Sequence, residues 1–165
     1  RRVLFRSLAQ PWFHPVRGNH EQMAIDYLAG EQECFEYRVN GGRWFIDLPA
    51  ERQADIARMF GALPIAIEVE TRAGAVGIVH ADCPFDSWQE LIAELDGEDG
   101  EAIADICMWS RERFGARIAS GVAGITKIFV GHTPVDQDLL LGNVHFIDTG
   151  ACFRQTLSVL PLAQE

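Results

Sequence analysis

The stretch Val16-Arg17-Gly18-Asn19-His20-Glu21 decides the fold that the sequence predicts. It follows an apolar run over residues 12–16 and leads into a helical pattern over residues 22–29. The implied order is strand, turn and helix. That order puts Asn19 and His20 at the carboxyl end of a strand and the amino end of a helix, where open α/β sheets bind ligands and the helix terminus favours an anion.

The same six residues also have a purely structural interpretation. In it, Gly18 adopts an unusual backbone conformation, Asn19 caps the helix and Glu21 complements the helix dipole. Taken alone, the stretch favours this structural interpretation.

Two further stretches shift the balance toward a binding site. Ile78-Val79-His80 and Val130-Gly131-His132 each run apolar residues into a histidine at the point where a strand should end. One such histidine is usually a buried residue satisfied by hydrogen bonds. The amide of Asn19 and two imidazoles on three predicted strand ends instead indicate convergence on a divalent metal ion.

Hydrophobic periodicity predicts an α/β chain. The expected helices cover residues 21–29, 51–60 and 101–114, and the expected strands cover residues 65–69, 75–80, 127–130, 139–141, 144–147 and 156–160. Residues 82–100 are polar and are expected to form a solvated loop rather than a recognition segment. Trp88 and Trp109 are expected in the core rather than as platforms for the substrate. Helices that alternate with strands early, and strands that follow one another late, predict two packed sheets with helices outside.

Length and composition narrow the class of protein. A chain of 165 residues predicts one domain over residues 1–165 with a sizeable core. The formal charge of -10 and a single lysine, Lys127, argue against nucleic acid as a partner, because phosphate contacts need clustered basic residues. No apolar run is long enough to cross a bilayer, so no membrane partner is expected. Four cysteines without CxxC spacing predict free thiols in the cytoplasm.

The first twenty residues differ from the rest of the chain. They hold four arginines and no acidic residue, although the chain is strongly acidic elsewhere, and the first residue is Arg1 rather than Met. This asymmetry predicts a chain that begins inside a domain. The last turns of a helix are expected over residues 1–10, with Pro11 ending them.

Five short motifs occur together in an order and spacing that resemble a known family. They are Gly18-Asn19-His20-Glu21, His80-Ala81-Asp82, Trp109-Ser110-Arg111, Gly131-His132-Thr133-Pro134 and Asp148-Thr149-Gly150-Ala151. The set resembles the calcineurin-like metallophosphoesterase superfamily, and in detail the bacterial and phage-type serine/threonine protein phosphatases. The resemblance covers nearly the whole chain, and the motifs are specific as a set although none is specific alone.

This resemblance implies a metallophosphatase-type β-sandwich flanked by helices, with two divalent metal ions, often manganese. Asn19, His80 and His132 match the protein ligands of one ion. His20 matches the histidine that gives a proton to the leaving alkoxide, and Arg111 matches an arginine that holds phosphoryl oxygens, with Asn19 as a second substrate contact. A metal-bound hydroxide would then attack the phosphorus of a phosphoserine or phosphothreonine in a protein or peptide.

The sequence departs from the family pattern upstream of residue 18. The family's Asp-x-His and Gly-Asp-x-x-Asp-Arg-Gly elements do not occur in the chain. They supply the other metal's ligands, the carboxylate that bridges both metals, the acid partner of His20 and a second phosphate arginine. The resemblance therefore implies an N-terminally truncated domain that lacks its first strands, has one partial metal site and is catalytically incomplete.

Two alternative functions remain open at this point. A dinucleoside polyphosphate hydrolase of the same superfamily uses the same metal centre, and an inactive fragment or pseudoenzyme would only bind phosphate or a partner. Asp82 and Cys83 follow a candidate metal ligand, so they are candidates for lining the pocket.

Overall fold

The structure is a computed structural model that describes residues 7–8, 10–154 and 156–162. The chain divides into two compact units, Arg1–Pro64 and Ile65–Glu165. One domain over residues 1–165 stays a prediction, and most of the helix expected over residues 1–10 lies outside the described residues. Within the described ranges, no helix has both the length and the apolar character needed to span a bilayer.

The first unit is helical in its described part. Its elements are α1 (Asn19–Ala29), α2 (Cys34–Tyr37), a π-helical turn (Arg38–Gly42), α3 (Arg43–Ile46) and α4 (Ala50–Gly61). The helix α1 ends where the sequence predicts, because Gly30 adopts the left-handed conformation at φ 84° and its N–H donates to Asp26 O and Tyr27 O. The helix predicted over residues 51–60 is confirmed as α4.

Aromatic side chains form the centre of the first unit. The rings of Tyr37 and Phe45 are buried, and their centres lie 6.0 Å apart in an edge-to-face arrangement. Met23 from α1 packs in the same cluster. Ile56 and Phe60 join it from α4, where a spacing of four residues puts both on one helical face.

The strand predicted over residues 12–16 is wrong. Residues 13–18 have no regular secondary structure, and Trp12 is 70% exposed. A strand needs a neighbour to pair with, and the described part of the first unit contains no other strand. The segment is instead held at its end by the Arg17 N–H, which donates to Pro64 O at 2.7 Å.

The second unit is built on a mixed five-stranded sheet. Its strands are β1 (Ala66–Thr71), β2 (Gly74–Val79), β3 (Lys127–Val130), β4 (Leu139–Leu141) and β5 (Val144–Phe146), in the spatial order β1-β2-β3-β5-β4. The strands β2, β3 and β5 run parallel, while the edge strands β1 and β4 are antiparallel to their neighbours. The carboxyl ends of the three central strands therefore share one edge of the sheet.

Three helices connect β2 to β3, and a short helix follows β5. They are α5 (Trp88–Leu95), α6 (Gly100–Trp109), α7 (Glu112–Ala116) and α8 (Ala151–Arg154). The single helix predicted over residues 101–114 is wrong at residues 110–111, because Ser110 has an extended backbone that separates α6 from α7.

The loop predicted over residues 82–100 is wrong over residues 88–95, which form the helix α5. Its outward face supplies the polar residues, while Trp88 is fully buried and its Nε1–H donates to Glu68 Oε2 at 2.5 Å. Gly77 of β2 leaves room for this indole, since a Cβ at that position would stand 2.7 Å from the ring. The sequence of α5 looks polar because the apolar face of this amphipathic helix is narrow.

The predicted α/β class is confirmed by the mixed sheet and its helices. The sequence predicts two packed sheets. The structure contains one sheet within residues 7–8, 10–154 and 156–162. The strand predicted over residues 156–160 is wrong, because that segment has no regular structure. Leu157 and Val159 alternate along it but are exposed, so their alternation does not reflect burial on a sheet face.

Candidate functional site

Two of the predicted metal ligands meet at the carboxyl edge of the sheet. His80 directly follows β2, and His132 lies two residues beyond β3. Their ring centres are 5.2 Å apart, with the ring planes inclined by 61°. The Gly131 N–H donates to His80 O at 2.8 Å, which joins the two strand ends at this point. The structure thus brings these two predicted residues together.

His132 has a backbone conformation that is uncommon for a residue with a side chain. Its φ is 62°, and the Thr133 N–H donates to Gly131 O at 2.6 Å, which closes a three-residue turn around it. The Thr133 hydroxyl is buried and has no hydrogen-bond partner within the described part of the chain. Strain of this kind concentrates at functional sites, so the turn itself marks the edge as a candidate site.

Trp109 borders the histidine pair. Its ring centre lies 6.2 Å from that of His132, with the planes nearly perpendicular at 79°, and the side chain is 41% exposed. The prediction that Trp109 belongs to the core is therefore wrong, whereas the same prediction for Trp88 is confirmed.

A buried ion pair follows the first histidine in sequence. Arg113 Nε–H donates to Asp82 Oδ1 at 3.2 Å, and each side chain is 6% exposed. The carboxylate of Asp82 also accepts from the Cys83 N–H at 2.8 Å, from the Ser110 hydroxyl at 3.3 Å and from the Arg113 N–H at 3.2 Å. Asp82 and Cys83 are thus buried and bound to protein atoms.

The predicted phosphate-binding arginine lies on the turn between α6 and α7. Arg111 is exposed and directly precedes the first residue of α7. On either side of it, Ser110 and Arg113 bind the same carboxylate, that of Asp82. An exposed guanidinium on an anchored turn can bind a phosphoryl group through two parallel N–H groups.

Asn19 and His20 open α1 in the first unit. Asn19 is 6% exposed, whereas His20 is exposed. The helix cap is Gly18, whose backbone is extended at φ -110°, so the expectation that Asn19 caps the helix and that Gly18 is unusual is wrong. The Gly18 N–H donates to Glu21 Oε2 at 3.1 Å, and burial raises the pKa of the Glu21 carboxyl. Asn19 and His20 are thus presented by the first turn of a helix.

Arg17 anchors this stretch to the end of α4. Its Nη2 donates to Gly61 O at 2.5 Å and to Leu63 O at 3.1 Å, while its Nη1 donates to Gln22 Oε1 at 3.2 Å. Carbonyl oxygens at a helix end lack intrahelical partners and carry partial negative charge, so a cation there is stabilising.

The spacing of His80 and His132 fits two ligands of one divalent ion. Imidazoles that share an ion at metal–nitrogen distances of about 2.1 Å have ring centres about 5 Å apart. The observed distance of 5.2 Å agrees with that value. Asn19, the third predicted ligand, belongs to the other unit. Among residues 7–8, 10–154 and 156–162, no group of three His, Cys, Asp or Glu side chains could hold a metal ion.

Comparison with known proteins identifies the family. The chain is 37% identical over 157 residues to serine/threonine-protein phosphatase 1 of Salmonella typhimurium strain LT2, a match that covers 92% of this chain and 67% of that protein. This chain belongs to the bacterial serine/threonine-protein phosphatase family. No protein-family model matches it.

Two further members of the phosphatase family support the assignment. Serine/threonine-protein phosphatase 2 of the same Salmonella strain is 33% identical over 159 residues, which cover 93% of this chain and 69% of that protein. Serine/threonine-protein phosphatase 2 of Escherichia coli strain K12 is 30% identical over 155 residues, which cover 90% of this chain and 66% of that protein. The chain thus spans about two thirds of the length of these phosphatases, and the recognition from five motifs is confirmed.

The role of Arg113 as the partner of Asp82 was not predicted from the sequence of this phosphatase-family chain. Arg113 lies 31 positions from Asp82, and no local pattern pairs residues so far apart. The available signal was Asp82 itself, because a carboxylate in an apolar strand-end segment needs a partner if it is buried.

Proposed function

We propose that this protein hydrolyses phosphoserine and phosphothreonine esters in phosphoproteins, with divalent metal ions as cofactors. The observation that carries the proposal is the pairing of His80 and His132 at 5.2 Å, in a chain that belongs to a protein phosphatase family. Ligands of α/β sheets bind at the carboxyl ends of parallel strands, and two imidazoles there are suitable ligands for a catalytic metal ion.

The proposed metal ligands are Asn19, His80 and His132. The amide and both imidazoles are neutral ligands, so they leave the positive charge of the ion available for the substrate. Bound divalent ions, which we propose to be manganese, would lower the pKa of water and neutralise charge on the phosphoryl group.

His20 and Arg111 are the proposed catalytic side chains. Arg111, exposed on its turn, would hold two phosphoryl oxygens through its guanidinium, and the Asn19 amide would be a further contact. His20, exposed at the start of α1, would donate a proton to the serine or threonine oxygen as the phosphorus–oxygen bond breaks. Together these residues bind the phosphoryl group and neutralise the leaving group.

Two further proposals concern the whole chain. We propose that residues 1–165 form one metallophosphoesterase domain, since a 157-residue match necessarily runs through both units. We also propose that the protein acts in the cytoplasm, because its four cysteines are free thiols, as expected in a reducing compartment.

An assay of the full-length protein on a phosphoserine peptide tests the function, because residues 1–165 span about two thirds of the related phosphatases and are proposed to be catalytically incomplete. Phosphate release is measured after treatment with a chelator and again after Mn²⁺, Mg²⁺ or Zn²⁺ is added back. We expect release to stop on chelation and to return with Mn²⁺. Full activity after chelation would contradict the metal requirement, and no release by the full-length protein under any of these conditions would contradict the hydrolase function. Substantial turnover by residues 1–165 alone would contradict the expectation that this chain is catalytically incomplete.

Replacement of His20 separates proton donation from metal binding. In His20→Asn, turnover should fall by roughly 100-fold or more while the manganese bound per chain is unchanged. In His80→Ala and His132→Ala, manganese affinity itself should fall by about 10-fold or more. His14→Ala removes an exposed histidine and serves as the matched control. Loss of manganese from His20→Asn would show that His20 is a ligand instead.

A further inference from the structure

One carboxylate organises the turn between α6 and α7. Asp82 Oδ2 accepts from the Ser110 hydroxyl at 3.3 Å and from the Arg113 N–H at 3.2 Å. The Ser110 hydroxyl in turn accepts from the Glu112 N–H at 3.1 Å. Three of the four residues at positions 110–113 are therefore fixed by this carboxylate or by the hydroxyl bound to it, while the side chain of Arg111 is exposed.

The side chain of Arg113 extends the same network in three directions. Its Nε–H donates to Asp82 Oδ1, its Nη1 donates to Ser120 O at 2.9 Å, and its Nη2 lies 3.4 Å from Cys83 O. Only a planar guanidinium has donors in all of these directions, so lysine cannot replace it. The segment after β2 is also tied to α6, because the Ala81 N–H donates to Cys107 O at 2.8 Å.

A buried ion pair of this kind has a high desolvation cost, and an apolar pair of similar volume is often as stable. Stability alone therefore gives no reason to place Asp82 and Arg113 here. Their bonds instead fix the backbone on both sides of Arg111, an exposed residue with many rotamers. A fixed turn leaves the guanidinium of Arg111 fewer orientations before it binds, so less conformational entropy is lost when it binds a ligand.

We infer that Asp82 and Arg113 are positioning residues, which hold the turn of Arg111 so that its guanidinium is preorganised for the phosphoryl group of the substrate. This inference rests on the proposed function, in which Arg111 binds that group. Asp82 and Arg113 are buried and act through Arg111 rather than by touching the substrate.

A double-mutant cycle with Arg111 in the full-length protein tests the inference. Arg113→Met and Arg111→Ala should each raise the inhibition constant of inorganic phosphate and the KM for a phosphoserine peptide by about 10-fold. The double variant should be no worse than Arg111→Ala alone. Arg113→Lys, which keeps the charge without the fork, should recover only part of the loss. Independent, multiplicative effects of the two replacements would overturn the inference.

Asn143→Ala is the matched control for lost stability. Asn143 lies just before β5, at the edge of the sheet opposite to the one that carries the histidines. Its Oδ1 accepts from the Val122 N–H, and its Nδ2 donates to Val122 O and Ile125 O. This variant should unfold more easily but leave the inhibition constant of phosphate unchanged. If Asn143→Ala weakens phosphate binding as much as Arg113→Met does, the effect is general destabilisation and the inference fails.

Amide hydrogen exchange gives a readout that does not depend on turnover. In Arg113→Met, amide exchange at residues 110–115 should accelerate relative to exchange in the strands of the sheet, and in Asn143→Ala it should not. Unchanged exchange at these residues would refute the positioning role even if the enzyme is active. Absence of turnover in the unaltered full-length protein, with the expected exchange pattern, would instead refute the proposed function alone.

Discussion

The imidazoles of His80 and His132 lie 5.2 Å apart although His132 is one position out of step with His80 in the sheet. In the parallel pairing of β2 and β3, Ile78 lies opposite Phe129, which places His80 level with Gly131. The left-handed turn at His132, with φ 62°, changes the direction of the chain immediately after Gly131. The sheet register and this turn together account for the meeting of two side chains from neighbouring strands.

Trp109 should report metal binding at this pair by its fluorescence. Its ring centre is 6.2 Å from that of His132, so a paramagnetic Mn²⁺ ion held by the two histidines would quench its emission. We expect titration with Mn²⁺ to lower tryptophan emission in the unaltered protein and to have little effect in Trp109→Phe. Trp12→Phe, which removes an exposed tryptophan, is the control. An equal loss of emission in Trp109→Phe would place the ion elsewhere.

Arg17→Met should destabilise the protein by roughly 1–3 kcal/mol, because two carbonyl oxygens at the end of α4 lose a charged donor. Urea unfolding measures the change. Arg58→Met is the matched control, since the Arg58 side chain is 77% exposed and pairs with Asp55 on the same helix, at 3.3 Å. Equal destabilisation by both replacements would show that the bonds of Arg17 to the helix end contribute nothing specific.

The four cysteines should react with thiol reagents in two classes. Cys34 and Cys152 are exposed, whereas burial raises the pKa of Cys83 to about 11 and that of Cys107 to about 12. The thiolate is the reactive form, so at neutral pH the two exposed cysteines should be modified rapidly and the two buried ones only after unfolding. Rapid modification of all four in the folded protein would contradict the packing of Cys83 and Cys107.

His145 should make the folded protein less stable in acid. Burial lowers the pKa of His145, and the charge of Lys127 lowers it further, while Asp138 acts in the opposite sense. A depressed pKa means that the unfolded chain takes up the proton first, so stability is present above the unfolded pKa of about 6.5 and is lost as the pH falls through the folded pKa.

His145→Gln should therefore lose less stability than the unaltered protein when the pH falls from about 7.5 to about 5. Thermal unfolding of both proteins across that range is the measurement. The difference should be modest, because His145 is only partly buried. Parallel stability curves for the two proteins would show that His145 titrates normally.

Short-range patterns made the second unit predictable. Strand alternation and turn residues give β1 and β2, and the buried run before Gly131 gives β3, because these signals depend on residues close in sequence. The histidines were recognisable for the same reason, since His80 directly follows β2 and His132 lies two residues beyond β3. The carboxyl edge of the sheet was thus the part of the site that the sequence described best.

Long-range relationships were not predictable from one sequence. The run over residues 12–16 has strand composition, but pairing depends on a neighbour, and its own unit offers none in the described residues. The partnership of Asp82 and Arg113 spans 31 positions, and Trp109 is exposed because α6 ends at the site. In each of these examples, tertiary context decides what local propensity leaves open.

Anomalous diffraction at the manganese absorption edge, from crystals grown with Mn²⁺, tests the central claim most directly. We predict a peak at about 2.1–2.3 Å from one imidazole nitrogen of His80 and one of His132, with the Asn19 amide oxygen as a further ligand. A peak that touches at most one of these histidines, or no peak in manganese-saturated crystals, would contradict it.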